Sequence, residues 1–194
     1  MKFNERELKE ILISTVVLAF AFRNFLPFDA GILGNVTIAF FVVGINFLAH
    51  ELFGHKLFAQ RLGAEAEYRM WPMGLLLALV GSFVGVVFAA PGAVYFNPVV
   101  RGPFAFTVHR FTKKDVGLVA LAGPAVNMVL GAVFLAVSFY AFQGLFLFAA
   151  YISFFMAFFN LLPLPPLDGS KVIAWSLPVW AVSIAIAAVG YLLL

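Results

Sequence analysis

Asn35–Leu57 reads NVTIAFFVVGINFLAHELFGHKL, an apolar run that ends in two histidines and a glutamate, His50, His55 and Glu51. As a helix it would be about 34 Å long, enough to cross the ~30 Å hydrocarbon core of a bilayer. The rest of the chain says that it lies in one. Of the 194 residues, 64% are hydrophobic and 11% charged, and mean hydropathy is +1.06. A soluble domain carries roughly 45–50% apolar and 25% charged residues, and no water-facing surface could be built from so few polar side chains. The 25 phenylalanines exclude disorder. The absence of cysteine excludes a disulfide scaffold, a thiolate zinc site and a cysteine nucleophile together. A net charge of +3 bears on orientation in the membrane, not on nucleic acid, which is not an expected partner.

Working outward, charged residues punctuate the chain into spans. A mixed-charge leader, Met1–Glu10, precedes an apolar span over 11–26, whose Arg23 can snorkel to the interface. No small-residue cleavage site follows it, so it reads as a retained anchor. Further spans are expected over 35–57, 116–140, 145–162 and 173–194, and no charged residue occurs from Val116 to Leu167. The apolar stretch 73–90 is long enough to be a sixth span by hydropathy alone. The expected fold is an all-α polytopic membrane protein of about five transmembrane helices, six if 73–90 crosses. It forms one membrane-embedded domain over 1–194 with no separate soluble domain and no repeat.

Ionisable groups inside apolar spans cost about 2.5–3.5 kcal/mol each on insertion scales, and so they point to function. Away from the basic flanks the chain keeps four: His50, Glu51, His55 and Asp168. Two imidazoles, an adjacent carboxylate base and a distant carboxylate are the composition of a metal site.

Three motifs carry a resemblance. His50-Glu51-Leu52-Phe53-Gly54-His55 is similar to the zinc-helix motif of the site-2 protease family of intramembrane metalloproteases, peptidase family M50. Asn160-Leu161-Leu162-Pro163-Leu164-Pro165-Pro166-Leu167-Asp168-Gly169 resembles that family's second signature. Ala122-Gly123-Pro124-Ala125-Val126-Asn127 resembles the Gly-Pro segment between them, and the three occur in the family's order. The resemblance implies that His50, His55 and Asp168 bind a single Zn2+, that Glu51 is the general base, and that Asn160 positions substrate or stabilises the oxyanion. It implies a zinc endopeptidase acting on transmembrane proteins or peptides in the lipid bilayer, with a small β-element in the membrane. The other functional readings are an inactive relative that binds membrane peptides without cutting them, and a zinc transporter.

One departure matters. The family spaces its histidines at i and i+4, about 40° apart around a regular helix. Here they stand at i and i+5, which a regular helix would place about 140° apart. Three readings stand: a π-bulge realigns the rings, with Gly54 supplying backbone freedom; Glu51 and His55 become the ligand pair; or the site is dead.

Parity fixes the topology. For His50, His55 and Asp168 to share an ion, the ends of 35–57 and 145–162 must lie on one side, so Leu62–Asp115 begins and ends there. Counting Lys and Arg on the loops gives the same side, cytoplasmic, and puts the N-terminus there. That expects 73–90 to be re-entrant, as two short strands around Gly81-Ser82; the alternative is an ordinary span with a second crossing hidden in Pro91–Asp115. The expected setting is the plasma membrane of a prokaryote. Asn46 and Asn127 read as interhelical hydrogen-bonding amides.

Overall fold

The structure is a computed structural model, and it describes residues 3–97, 99–101 and 108–194. It is mostly helical. Helix α1 (Glu5–Phe22) starts at Asn4, whose side chain accepts the Glu7 N–H at 2.8 Å. After a turn come α2 (Gly31–Leu48), a π-helical segment (Ala49–Lys56) and α3 (Leu57–Arg61), one continuous helical run. Strand β1 (Ala66–Met70), helix α4 (Pro72–Ser82) and strand β2 (Gly92–Phe96) follow. A second small ladder pairs β3 (Val99–Arg101) with β4 (Val108–Arg110). Helix α5 (Lys113–Ser138) opens with a Thr112–Asp115 capping box and makes a hairpin with α6 (Gln143–Asn160). A proline-containing turn then leads to α7 (Asp168–Trp175) and α8 (Leu177–Leu192).

Among the described residues, three helices are long and apolar enough to cross a membrane: Gly31–Arg61, Lys113–Ser138 and Gln143–Asn160. The expected spans at either end differ from the helices found. The first begins inside the leader, so α1 carries five charged residues in its first six. The last, expected over 173–194, breaks at Ser176, whose side chain caps α8 and leaves it 16 residues, about 24 Å.

The region 73–90 is also corrected. No strand lies within it; residues 72–82 are helix α4, and the β pairing falls on its flanks. Pro72 in the first turn pre-sets the helical φ, and the Leu/Ala-rich sequence behind it sustains a helix. The chain then doubles back at Gly85, whose φ of +77° only glycine adopts without strain. β1 and β2 are antiparallel, with Ala66 opposite Phe96 and Met70 opposite Gly92, so the chain comes back beside the point it left. Residues 98 and 102–107, in the stretch where a hidden crossing was the alternative, lie outside the described residues.

The largest core cluster joins α1, α2, α6 and the sheet through Leu18, Phe22, Phe47, Tyr68 and Ile152. Buried carboxylates of α1 clamp the sheet onto it. Glu7 accepts the Tyr68 N–H at 2.9 Å and Glu10 the Met70 N–H at 2.9 Å, while Lys56 donates to both Glu7 oxygens at 2.7 Å.

Candidate metal centre

The spacing of His50 and His55 is resolved by the helix that carries them. Residues 49–56 are π-helical, with i→i+5 bonding, so residues five apart come onto one face as residues four apart do in an α-helix. The backbone is the π-helical one of the first reading. The rings meet edge to face with centroids 4.7 Å apart, and their Nε2 atoms are separated by 3.0 Å. Gly54 serves by its size: a Cβ there would stand 2.5 Å from Gly123 Cα, so the π-helix and α5 touch backbone to backbone.

Asp168 arrives from the far end of the chain. Its Oδ2 lies 3.0 Å from His55 Nε2 and 3.5 Å from His50 Nε2. Two features of the neighbourhood bring it there. Gly169 packs against Leu161, where a Cβ would stand 2.1 Å from the carbonyl oxygen, and that same carbonyl accepts the Trp180 indole N–H at 2.8 Å. The proline-rich turn is thereby folded back onto the end of α6.

Hydrogen bonds set which ring nitrogens carry protons. His55 Nδ1 is 2.8 Å from the Val119 carbonyl, which can only accept, so Nδ1 donates there and Nε2 is the nitrogen turned to the site. For His50 the polarity passes through a buried chain. Asn46 Nδ2 donates to the Val42 carbonyl at 3.0 Å, so its Oδ1 must accept, from Ser153 Oγ at 2.6 Å and Asn127 Nδ2 at 3.4 Å. Asn127 Oδ1 then faces His50 Nδ1 at 2.8 Å and takes its proton. Two imidazole nitrogens and a carboxylate oxygen thus point at one spot, the donor set of a metal site.

The dimensions fit zinc. Bonds of 2.0–2.1 Å at tetrahedral angles place ligand atoms about 3.3 Å apart. The three separations here, 3.0, 3.0 and 3.5 Å, bracket that edge. His50, His55 and Asp168, all buried, could therefore hold a metal ion.

Beside them is a cavity of about 300 Å3, lined by Glu51, His55, Asp168 and Asn160 and walled on one side by β2. Glu51 is buried, and its Oε2 has no hydrogen-bond partner. Asn160, the last residue of α6, donates to the Met156 carbonyl at 2.9 Å. All five residues singled out in the sequence therefore converge on one site. Three contributors were not foreseen: Lys171, whose Nζ lies 3.1 Å from Asp168 Oδ1; Gly123, which packs against both imidazoles; and the Val119 carbonyl. The i,i+3 spacing of Asp168 and Lys171 was a signal for the first. Gly123 stands in the Gly-Pro motif, though its contact with the rings was not read from it, and nothing in the sequence pointed to the Val119 carbonyl.

A buried, metal-ready cluster beside a carboxylate with one oxygen left unpartnered, at the edge of a membrane helix, is the equipment of a metal-dependent hydrolase. Residues 140–183, which include Asn160 and Asp168, match the model of peptidase family M50. A protein of Methanocaldococcus jannaschii named "putative zinc metalloprotease" is 36% identical over 200 residues, spanning 99% of this chain and 95% of that one. The chain belongs to peptidase family M50. No solved structure matches it.

Proposed function

We propose that this protein is a zinc endopeptidase that hydrolyses peptide bonds within or beside the transmembrane segments of other membrane proteins. The observation that carries this reading is the convergence of His50 Nε2, His55 Nε2 and Asp168 Oδ2 next to the Glu51 carboxylate, whose Oε2 has no hydrogen-bond partner. A zinc ion held by these three ligands supplies Lewis acidity, polarising a scissile carbonyl and bringing the pKa of water towards ~7. Glu51 is the general base: Oε2 takes the proton of the attacking water and returns it to the departing amine. Asn160 has a second amide N–H besides the one bonded to Met156, and offers it to the oxyanion.

A transmembrane helix hides its amides in its own hydrogen bonds, so a substrate must be unwound before it is cut. The sheet supports strand addition as the means. Glu7 and Glu10 occupy the Tyr68 and Met70 N–H groups, which therefore point away from β2. By the alternation of an antiparallel ladder, their partners Val94 and Gly92 turn their own backbone groups away from β1. That is the side where β2 walls the cavity; Glu51 accepts the Val94 N–H there, and an extended substrate can pair with the other outward backbone groups of β2.

In the membrane, α1, α2 with its continuation, α5, α6 and α8 cross, and residues 72–91 enter and return. The N-terminus and the metal-bearing ends lie on the cytoplasmic side of a prokaryotic plasma membrane, in keeping with the Lys and Arg of the flanking loops. The partners are the bilayer and single transmembrane segments of substrate proteins.

Glu51→Gln tests the reading in the purified full chain, with zinc content and cleavage of a transmembrane peptide as readouts. The expected result is unchanged zinc and a rate lower by about 10²–10⁴. A parent protein that binds but never cuts the peptide would leave an inactive peptide-binding relative. Zinc flux into liposomes that E51Q leaves unaltered would leave a carrier.

A further inference from the structure

Asp168 divides its carboxylate between two neighbours. Oδ2 faces both imidazoles, and Oδ1 accepts from Lys171 Nζ at 3.1 Å. Asp168 is the first residue of α7 and Lys171 lies three residues on, so the helix itself sets the ammonium against that oxygen. The ion pair is not what fastens α7. Gly169 lies against the Leu161 carbonyl, and Val172 is fully buried in the α5–α8 core. Lys171 is 40% exposed, and a pair so open adds little to stability. Lys171 is instead one of the residues that line the cavity shared by Glu51 and Asn160.

A carboxylate can ligate zinc through one oxygen or through both. The second oxygen takes up coordination that a hydrolytic site keeps open for water. Resting on the zinc-peptidase reading above, we propose that Lys171 is a positioning residue that keeps Asp168 a one-oxygen ligand. For Oδ1 to swing onto the metal, the carboxylate must turn and break a charge-assisted hydrogen bond. The residue thus acts through Asp168 and guards the position that the reaction needs.

The test uses the full chain in detergent, loaded with cobalt(II) in place of zinc, as parent, Lys171→Met, Lys171→Gln and Lys171→Arg. All four are expected to bind metal equally. The parent and K171R show the intense visible bands of four-coordinate cobalt. K171M and K171Q show those bands weakened several-fold as coordination expands, and zinc X-ray absorption of the same variants gains one oxygen scatterer. With zinc restored, kcat of K171M falls on the order of tenfold at unchanged KM. A parent-like cobalt spectrum in both uncharged variants overturns the proposal. So does loss of metal from them, which would make Lys171 a support of the whole site. A parent that takes up neither cobalt nor zinc is a different result, and it overturns the zinc-peptidase reading itself.

Discussion

Gly123→Ala reaches the metal centre without altering a ligand. A Cβ at this position would stand 2.3 Å from His55 Nε2, 2.6 Å from His55 Cε1 and 2.8 Å from His50 Nε2. Ordinary contact needs about 3.5 Å, so His55 must retreat by roughly 1 Å and His50 by somewhat less. Neither ring is free to do so. His55 is tied to the Val119 carbonyl and His50 to Asn127, each at 2.8 Å. The helix cannot yield easily either, because Gly54 and Gly123 already meet backbone to backbone. Metal ligands tolerate displacements of about 0.2 Å. Damage to the outer hydrogen bonds alone weakens binding about 10–100-fold. A displacement several times that tolerance is expected to weaken zinc binding by at least about 100-fold. The assay is competition for zinc against a chromophoric chelator in the purified protein. Gly131→Ala is the control: on the same helix its Cβ would meet the Phe154 ring at 2.7 Å, far from any ligand. It should lower thermal stability and leave zinc affinity unchanged. Parental affinity in G123A refutes the reasoning, and so does equal loss of zinc from both variants, which would mark helix packing in general as the cause.

Deleting Phe53, which is exposed, returns the histidines to a spacing of four and lets the segment relax to regular helix. Metal analysis should find zinc retained, whereas an alanine inserted between Leu52 and Phe53 should abolish binding. Asn127→Leu removes the acceptor of the His50 Nδ1 proton and should weaken zinc binding about 10–100-fold by titration calorimetry. Glu7→Gln keeps an oxygen for the Tyr68 N–H but removes the charge facing buried Lys56. A loss of about 3–5 kcal/mol is expected in thermal unfolding, and the double variant E7Q/K56M should recover most of it.

Three of the expected spans and the clustering of the site residues were legible for one physical reason. In a chain this apolar, each retained ionisable group is costly, so His50, Glu51, His55 and Asp168 stood out against their background. The π-helix was legible as a geometric demand, since five residues could bring two rings together only if the helix widened. Residues 73–90 were not. A run of Leu, Ala, Val and Gly reads alike for a span, a buried strand or a short buried helix, and the fold-back at Gly85 is a conformation that the residues merely permit. The strands that do form are AEYRM and GAVYF, outside that run, held in register by Glu7 and Glu10 from the leader. Those two glutamates were read only as part of a mixed-charge leader, because their neighbours in sequence are charged. Gly123 was hidden differently: it stands in the Gly-Pro motif, but its contact with both imidazoles is a distance to another element, which no local pattern records.

The centre is also where the packing of the helices is decided, and this orders the damage that substitutions should do. His50 and His55 are offered by one helix but oriented by another, because Asn127, Val119 and Gly123 all belong to α5. Asp168 is held within α7, with Lys171 as its partner three residues along the same helix. A change in α5 therefore disturbs two ligands through backbone and side chain together. A change at Lys171 alters how one ligand uses its second oxygen and leaves the imidazoles in place. Metal affinity should fall steeply for the first and hardly for the second, while turnover suffers in both. The π-helix belongs to the same logic. The extra residue turns His50 and His55 into a pair only because Gly54 lets α5 come close enough to hold both rings from behind.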